Sequence, residues 1–278
     1  MIGFVVAAAT TAKVVSDMKK SDELNESAQK KRIRAMRTLA DAENDRAYEE
    51  ERMEKSVLRL ATRKKGVLTT SISRFIDVYG KIKKIRFLES DGIRELVAFS
   101  PRCCNEMKDQ IIIIQQKEIT PSSALTKNVV VSSLFFGLAG AITASIVDDA
   151  KNRLDAASDK LKQTRVYAEQ QRICGLSYHS IAERADHMTD ILTKLNMLFV
   201  KSLNNTEPLV EAKGDDRSYY KQDDIAQIGT CLNLAMAVKD ILDAPILDRD
   251  GELAKETLAV IERGNQCVIE MQESIFAI

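Results

Sequence analysis

His179, Glu183 and His187 stand at i, i+4 and i+8, which on a helix places all three nearly on one face. Imidazole and carboxylate groups at that spacing can hold a metal, but a zinc site needs at least three well-placed ligands with neighbours that fix the ring orientation. A second helix would have to supply the remaining partners, and nothing in the sequence singles one out. The three are therefore read as polar positions flanking a helical seam. The stretch LDRDGE at 247–252 has the look of a calcium loop. Aligning Gly251 with the turn glycine of such a loop puts Ile246 at the first ligand position and Thr257 at the last, and neither can do that work. Asp248 or Asp250 is expected instead to cap the helix that follows.

The remaining chemistry-bearing types are equally sparse. Cys103 and Cys104 are adjacent, and neighbouring cysteines bond to each other only with strain, so buried free thiols are the expectation. The chain has five cysteines, Cys103, Cys104, Cys174, Cys231 and Cys267, with no C-x-x-C, which fits reduced thiols in a cytoplasmic protein. There is no phosphate-cradling glycine loop, no H-E-x-x-H and no G-x-S-x-G, and only two histidines in all. A non-enzymatic protein with no cofactor, no metal and no small-molecule substrate is the reading.

Positioning such residues falls to helices. Only four prolines and eleven glycines punctuate 278 residues, too few for a protein of many short strands. Lysine plus arginine (41) balances aspartate plus glutamate (41), so no overall field steers the chain to nucleic acid. The basic cluster Lys30, Lys31, Arg32, Arg34 and Arg37 has no interleaved aromatic residue and acidic residues follow it, so it reads as a solvated face rather than a nucleic-acid contact. The fold class expected is all-α: an elongated helical bundle with long coiled-coil-like helices and one apolar Gly/Ala-rich helix.

Four segments organise the chain. Residues 1–65 hold an apolar N-terminal helix, expected to pack or touch lipid with an export signal or anchor as the alternative, and a long charged helix with Leu39, Ala42, Met53, Val57 and Leu60 along its seam. Residues 66–120 hold short helices. Gly66 marks a break there, and Leu68, Ile72, Phe75, Tyr79 and Ile82 trace one face, with Lys81, Lys83, Lys84 and Arg86 toward its negative end. A second short helix is expected between Gly92 and Pro101. The isoleucines 111–114 fit either strand or helix, with Met107, Ile111 and Ile114 on one helical face.

Residues 121–203 hold the apolar segment running into a long amphipathic helix, spanning about Ser132 to Leu203, with Gly175 as its weak point. Leu154, Ala157, Leu161, Thr164 and Ala168 begin the amphipathic face, and Ile181, Ala185, Met188, Leu192, Leu195 and Phe199 continue it as an assembly seam. Residues 204–278 hold a C-terminal helical hairpin. A polar loop through Pro208 and Gly214 precedes a helix capped by Asp223 or Asp224, whose face is Ile225, Ile228, Leu232, Ala235, Val238 and Leu242. The last helix turns Ala254, Leu258, Ile261, Val268 and Ile275 inward.

Within the third segment, Asn128 to Val147 carries no charge, and Lys127 and Asp148-Asp149 close its ends. At about 1.5 Å per residue a helix of that length is about 30 Å long, the thickness of a bilayer's hydrocarbon core. Ser133, Gly137, Ala141 and Ser145 form a ridge of small side chains, extended by Gly140 and Ala144, which permits close helix approach. Such a helix can enter a membrane on assembly, anchor permanently, or form the surrounded core of a soluble bundle.

An apolar Gly/Ala-rich stretch running into a long amphipathic helix inside a charged helical protein resembles the helical pore-forming cytolysins. The resemblance covers residues 121–203 and lies in the arrangement. It implies an apolar element hidden in the soluble form that enters the bilayer on assembly. Together these readings anticipate a cytoplasmic, membrane-associating protein that self-associates, with a lipid bilayer and a helical partner protein as its partners. The alternative is a soluble helical scaffold that assembles through residues 39–60 and 154–203.

Overall fold

The computed structural model describes the backbone of residues 3–93, 97, 104–112, 160–248 and 251–276, and within these the side chains of 30–271 other than 31, 32, 160 and 161. Among the described residues the protein is an all-α helical bundle; the one β-type contact is an isolated bridge between Leu247 and Leu253. The helices are α1 (Gly3–Val67), α2 (Ser73–Ile82), α3 (residues 104–112), α4 (Lys160–Lys213), α5 (Gln222–Asp243) and α6 (Lys255–Phe276). Two compact units emerge, one from Met1–Glu50 and Val147–Tyr178, the other from Glu51–Ile146 and His179–Ile278. Both α1 and α4 contribute residues to each unit, so the division cuts across the four consecutive segments read from the sequence.

In the first unit the buried positions are mostly small residues, with Tyr178 the large exception among the described side chains. Ala35, Ala42 and Ala168 are buried, and so is Gly175. Helix α4 passes through Gly175 without interruption, contrary to the expected weak point. A Cβ there would meet the Arg46 Cα at 3.5 Å, an ordinary contact, so the backbones of α1 and α4 lie close at this point and the glycine introduces no bend.

The second unit holds the main core. Gly66 likewise fails to break α1, which runs on to Val67 and then widens into a π-helical turn at Leu68–Ile72 before α2. The Thr69 hydroxyl donates to the Lys65 carbonyl at 2.9 Å and the Thr70 hydroxyl to the Gly66 carbonyl at 2.7 Å, groups that a regular helix would offer to backbone N–H. The expected face Leu68, Ile72, Phe75, Tyr79 and Ile82 is buried throughout. Met107 and Ile111 are buried on α3, which settles helix over strand for residues 104–112; Ile113 and Ile114, like most of 93–101, lie outside the described residues.

Most of the polar loop expected at 204–217 is instead the end of α4, which continues through Pro208 to Lys213 and leaves only residues 214–217 outside it. Its apolar face persists, because Leu203, Thr206 and Val210 are buried. Helix α2 also clamps its outer side. Arg74 donates to Asn204 Oδ1 at 2.6 Å and to Glu207 at 2.7 Å, and Lys81 donates to Glu211 at 2.5 Å. Exposed pairs of this kind are screened by solvent and contribute little, so the buried face dominates. The helix stops at Gly214, whose φ of +64° is left-handed and whose N–H donates to the Val210 carbonyl at 3.0 Å.

Neither Asp223 nor Asp224 is the N-cap of α5. That position is Lys221, and Asp224 reaches back to accept its N–H at 2.7 Å. Nor does Asp248 cap α6, which starts at Lys255. Its carboxylate accepts the Glu252 N–H at 2.9 Å inside a tight turn completed by Gly251 at φ +83°. On α6 the inward set is Ala254, Thr257, Ile261, Gly264 and Val268, whereas Leu258 is 55% exposed; Ile275 lies outside the described side chains.

Lys64 occupies the centre of this unit. It is 0% exposed, and its ammonium donates to the carbonyls of Leu242 at 2.9 Å and Ala244 at 3.1 Å. These are orphan acceptors at the C-terminal end of α5, where the helix dipole favours a cation. Burial nonetheless pulls the amine down to about 7, with Asp243 opposing. A neutral amine retains two N–H donors, enough for both carbonyls.

A pH dependence follows. Unfolded lysine keeps its proton to about pH 10.4, whereas folded Lys64 releases it near 7. Between those values the unfolded chain binds more protons, so folding stability should rise with pH. Lys64→Met should flatten the rise of melting temperature between pH 7 and 10. An unchanged slope in the variant would show that Lys64 is not the source.

Candidate functional site

The ridge Ser133, Gly137, Gly140, Ala141, Ala144 and Ser145 lies outside the described residues. The seam does not. Ile181 is 7% exposed, and Ala185, Met188, Leu192, Leu195 and Phe199 are fully buried within the chain itself. Their 3–4 spacing keeps them on one stripe of α4, and this chain's own residues meet them. Phe199 stacks edge-on against Phe75 of α2, with ring centroids 5.5 Å apart. Gly264 of α6 brings its backbone so close that a methyl group there would sit 2.8 Å from Ile191 and 3.6 Å from Leu195. Arg184, on the same helix, donates to the Ala254 carbonyl at 2.7 Å.

The histidine constellation separates. Arg52 approaches His179 Nδ1 to 2.7 Å, and since arginine only donates, Nδ1 accepts. Nε2 then carries the hydrogen, directed at Glu183 Oε1 3.3 Å away. His187 is exposed and takes no part. Among the described residues no group of three histidines, cysteines or carboxylates converges as a metal would require.

Of the cysteines described, Cys104 and Cys231 are buried and Cys174 and Cys267 half-buried, all as free thiols; Cys103 lies outside the described residues. Burial pushes the Cys231 thiol up to about 11, against hydrogen bonds from Thr206 and Ser202, so it is held protonated and unreactive. In the basic cluster, Lys30, Arg34 and Arg37 are exposed, and the side chains of Lys31 and Arg32 are not described.

Two polar nodes were not singled out in the sequence. One links Asp91 and Arg217, which form a two-pronged ion pair between short 3-10 turns, with one arm at 2.7 Å. The guanidinium holds the almost fully buried Asp91 carboxyl below the usual carboxylate range. The other surrounds the C-terminal end of α5. Lys239 pairs with Asp243 and lies 3.3 Å from Glu106, and Gln110 donates to Asp243 at 3.1 Å, tying α3 to the helix end that Lys64 caps. Both nodes fasten one element to another.

Because the seam is internal, charge placed in it should unfold the chain. Met188→Asp with Leu195→Asp should destabilise the fold by upwards of about 3 kcal/mol, read as loss of the cooperative thermal transition. An unchanged melt would contradict the buried seam. Gly264→Ala tests the same interface more gently. Helix propensity alone would favour alanine by about 1 kcal/mol. The contact with Ile191 should reverse that sign to a net loss of about 1 kcal/mol or more in urea unfolding.

No protein-family model, curated protein or solved structure matches this chain.

Proposed function

We propose that this is a non-enzymatic helical protein that associates with a lipid bilayer through residues 128–147 and assembles there, in the manner of a pore-forming or membrane-remodelling component. One observation carries the reading. From Asn128 to Val147 no residue is charged, in a chain whose residues are 29% charged, and the segment is closed by Lys127 and Asp148-Asp149. Its small-residue ridge through Gly137 and Ala141 suits helix pairing in lipid.

A second apolar stretch sharpens the contrast. Helix α5 is also long and apolar enough to cross a bilayer, but it is mostly buried inside the bundle and carries Lys239, Asp240 and Asp243. Its apolar surface is committed to the core of the second unit. That leaves 128–147 as the segment of this chain best suited to lipid.

The alternative is a soluble cytoplasmic scaffold with no membrane role. Exposed apolar residues on α4 favour it, since Val166, Ile173 and Leu176 are each more than half exposed and suit a helical partner.

Vesicle flotation of the full chain separates the two. Leu134→Arg should abolish flotation, because an arginine near the bilayer centre opposes insertion by about 3 kcal/mol. Gly137→Leu and Ala141→Leu should preserve flotation while preventing assembly. If the unaltered protein never floats, even after mild acid, the lipid reading falls and the scaffold reading takes its place.

A further inference from the structure

The outward face of α1 within the first unit has an order that the proposed lipid contact leaves unexplained. Ala35 and Ala42, seven residues apart, are buried. Ile33, Ala40 and Ala47 repeat with the same period on the opposite side of the helix and are exposed, with Ile33 at 45% and Met36 at 60%. Tyr48 adds to the same face at 67% exposure. An apolar stripe of this kind on a helix that already buries its other face is suited to a second helix.

Charge specifies which one. Exposed Lys30, Arg34 and Arg37 precede the stripe's midpoint, and exposed Asp41, Glu43 and Asp45 follow it, with Glu49, Glu50 and Glu51 continuing an acidic run whose one base, Arg46, is paired within the helix to Glu50. The exposed apolar face of α4 has no such segregation, because Lys162, Arg165, Glu169 and Arg172 mix both signs around Val166 and Ile173. A helix that is basic in one half and acidic in the next complements a copy of itself running the other way. It repels a parallel copy, and its acidic half opposes an anionic membrane.

We infer that the protein forms an antiparallel homodimer through the α1 face bearing Ile33, Met36, Ala40, Ala47 and Tyr48, with the basic half of each copy against the acidic half of the other. A two-fold axis near Ala40 places Ile33 opposite Ala47 and Arg37 opposite Glu43. The interface is isologous, so each pairing occurs twice. It is formed in solution without lipid, independently of what residues 128–147 do.

The test is sedimentation of the full chain in lipid-free buffer. The unaltered protein should be a dimer that weakens with added salt. Arg34→Glu with Arg37→Glu sets acid against acid, and Glu43→Lys with Asp45→Lys sets base against base. Each pair of changes should weaken dimerisation at least tenfold while leaving thermal melting unaltered, since all four side chains are exposed. Mixing the two variants should restore a heterodimer, because both of its charge contacts are again opposite in sign. A single chain combining all four changes should also dimerise, which a parallel pairing would forbid. A monomeric unaltered protein overturns the inference, whether or not it binds anionic vesicles. So do variants that dimerise as tightly as the unaltered chain, or that fail to pair when mixed.

Discussion

The second unit depends on the burial of α5. Beyond its first turn only Ala226, Asn233 and Asp240 are exposed, a single stripe stepping by seven residues. Every other face needs a neighbour, and the neighbours are chemically distinct. Ile93 sits where a side chain on Gly229 would go, and Ser202 and Thr206 of α4 bond Cys231. Gly264 of α6 admits Ile241, and Lys64 of α1 receives the last carbonyls. The apolar faces of α1, α4 and α6 are thereby oriented toward one helix, which is why their stripes are narrow where α5 is at least partly covered on every side but one.

Burying a helix end creates a debt of unsatisfied carbonyls, and the lysine is one of few side chains long enough to reach them from a neighbouring helix. An amide or hydroxyl would be shorter, and an arginine would carry a permanent charge into the core. Lysine can give up its proton and still donate twice. The lowered affinity for a proton is therefore compatible with the same two hydrogen bonds at both charge states. What changes with pH is the electrostatic cost of the site and not its geometry.

Much of this was legible in the sequence. The steps from Ile181 to Phe199 alternate by three and four without an error, and all six positions are buried. The face from Leu68 to Ile82 reads equally well, even across a π-turn. Lys64 was hidden because Arg63, Lys64 and Lys65 look like a solvated cluster, although Met53, Val57, Leu60 and Lys64 continue one 4–3–4 seam. Pro208 and Gly175 misled for the opposite reason, since local helix-breaking propensity is outweighed where a buried face or a close backbone contact continues. On α5 the six-residue face was correct but incomplete, because Cys231, Leu234 and Ile241 on other sides are buried too. Periodicity reports one stripe and says little when a helix is surrounded. On α6 the register is as read, since Ala254, Ile261 and Val268 are buried, but Thr257 and not Leu258 lies between them; its hydroxyl donates to the Pro245 carbonyl, which lets a polar side chain occupy a buried position.

The two ridges of small residues separate what such residues can and cannot decide. In the first unit Ala35, Ala42, Ala168 and Gly175 let α1 and α4 approach closely, and the outward faces of those helices intersperse exposed apolar residues such as Met36 and Val166 with charges such as Arg37 and Arg165. Residues 128–147 repeat the small-residue chemistry with no charge on any face. A helix of that composition needs a complete apolar surround, whether protein or lipid. Helix α5 indicates how demanding the protein solution is, since α1, α4, α6 and a buried amine are organised around it. With those apolar faces already committed to α5, a second complete surround must come from other parts of the chain, from further copies, or from a bilayer. On the proposed reading lipid would meet that requirement without any additional apolar helix face, and the small ridge would be the surface offered to other copies.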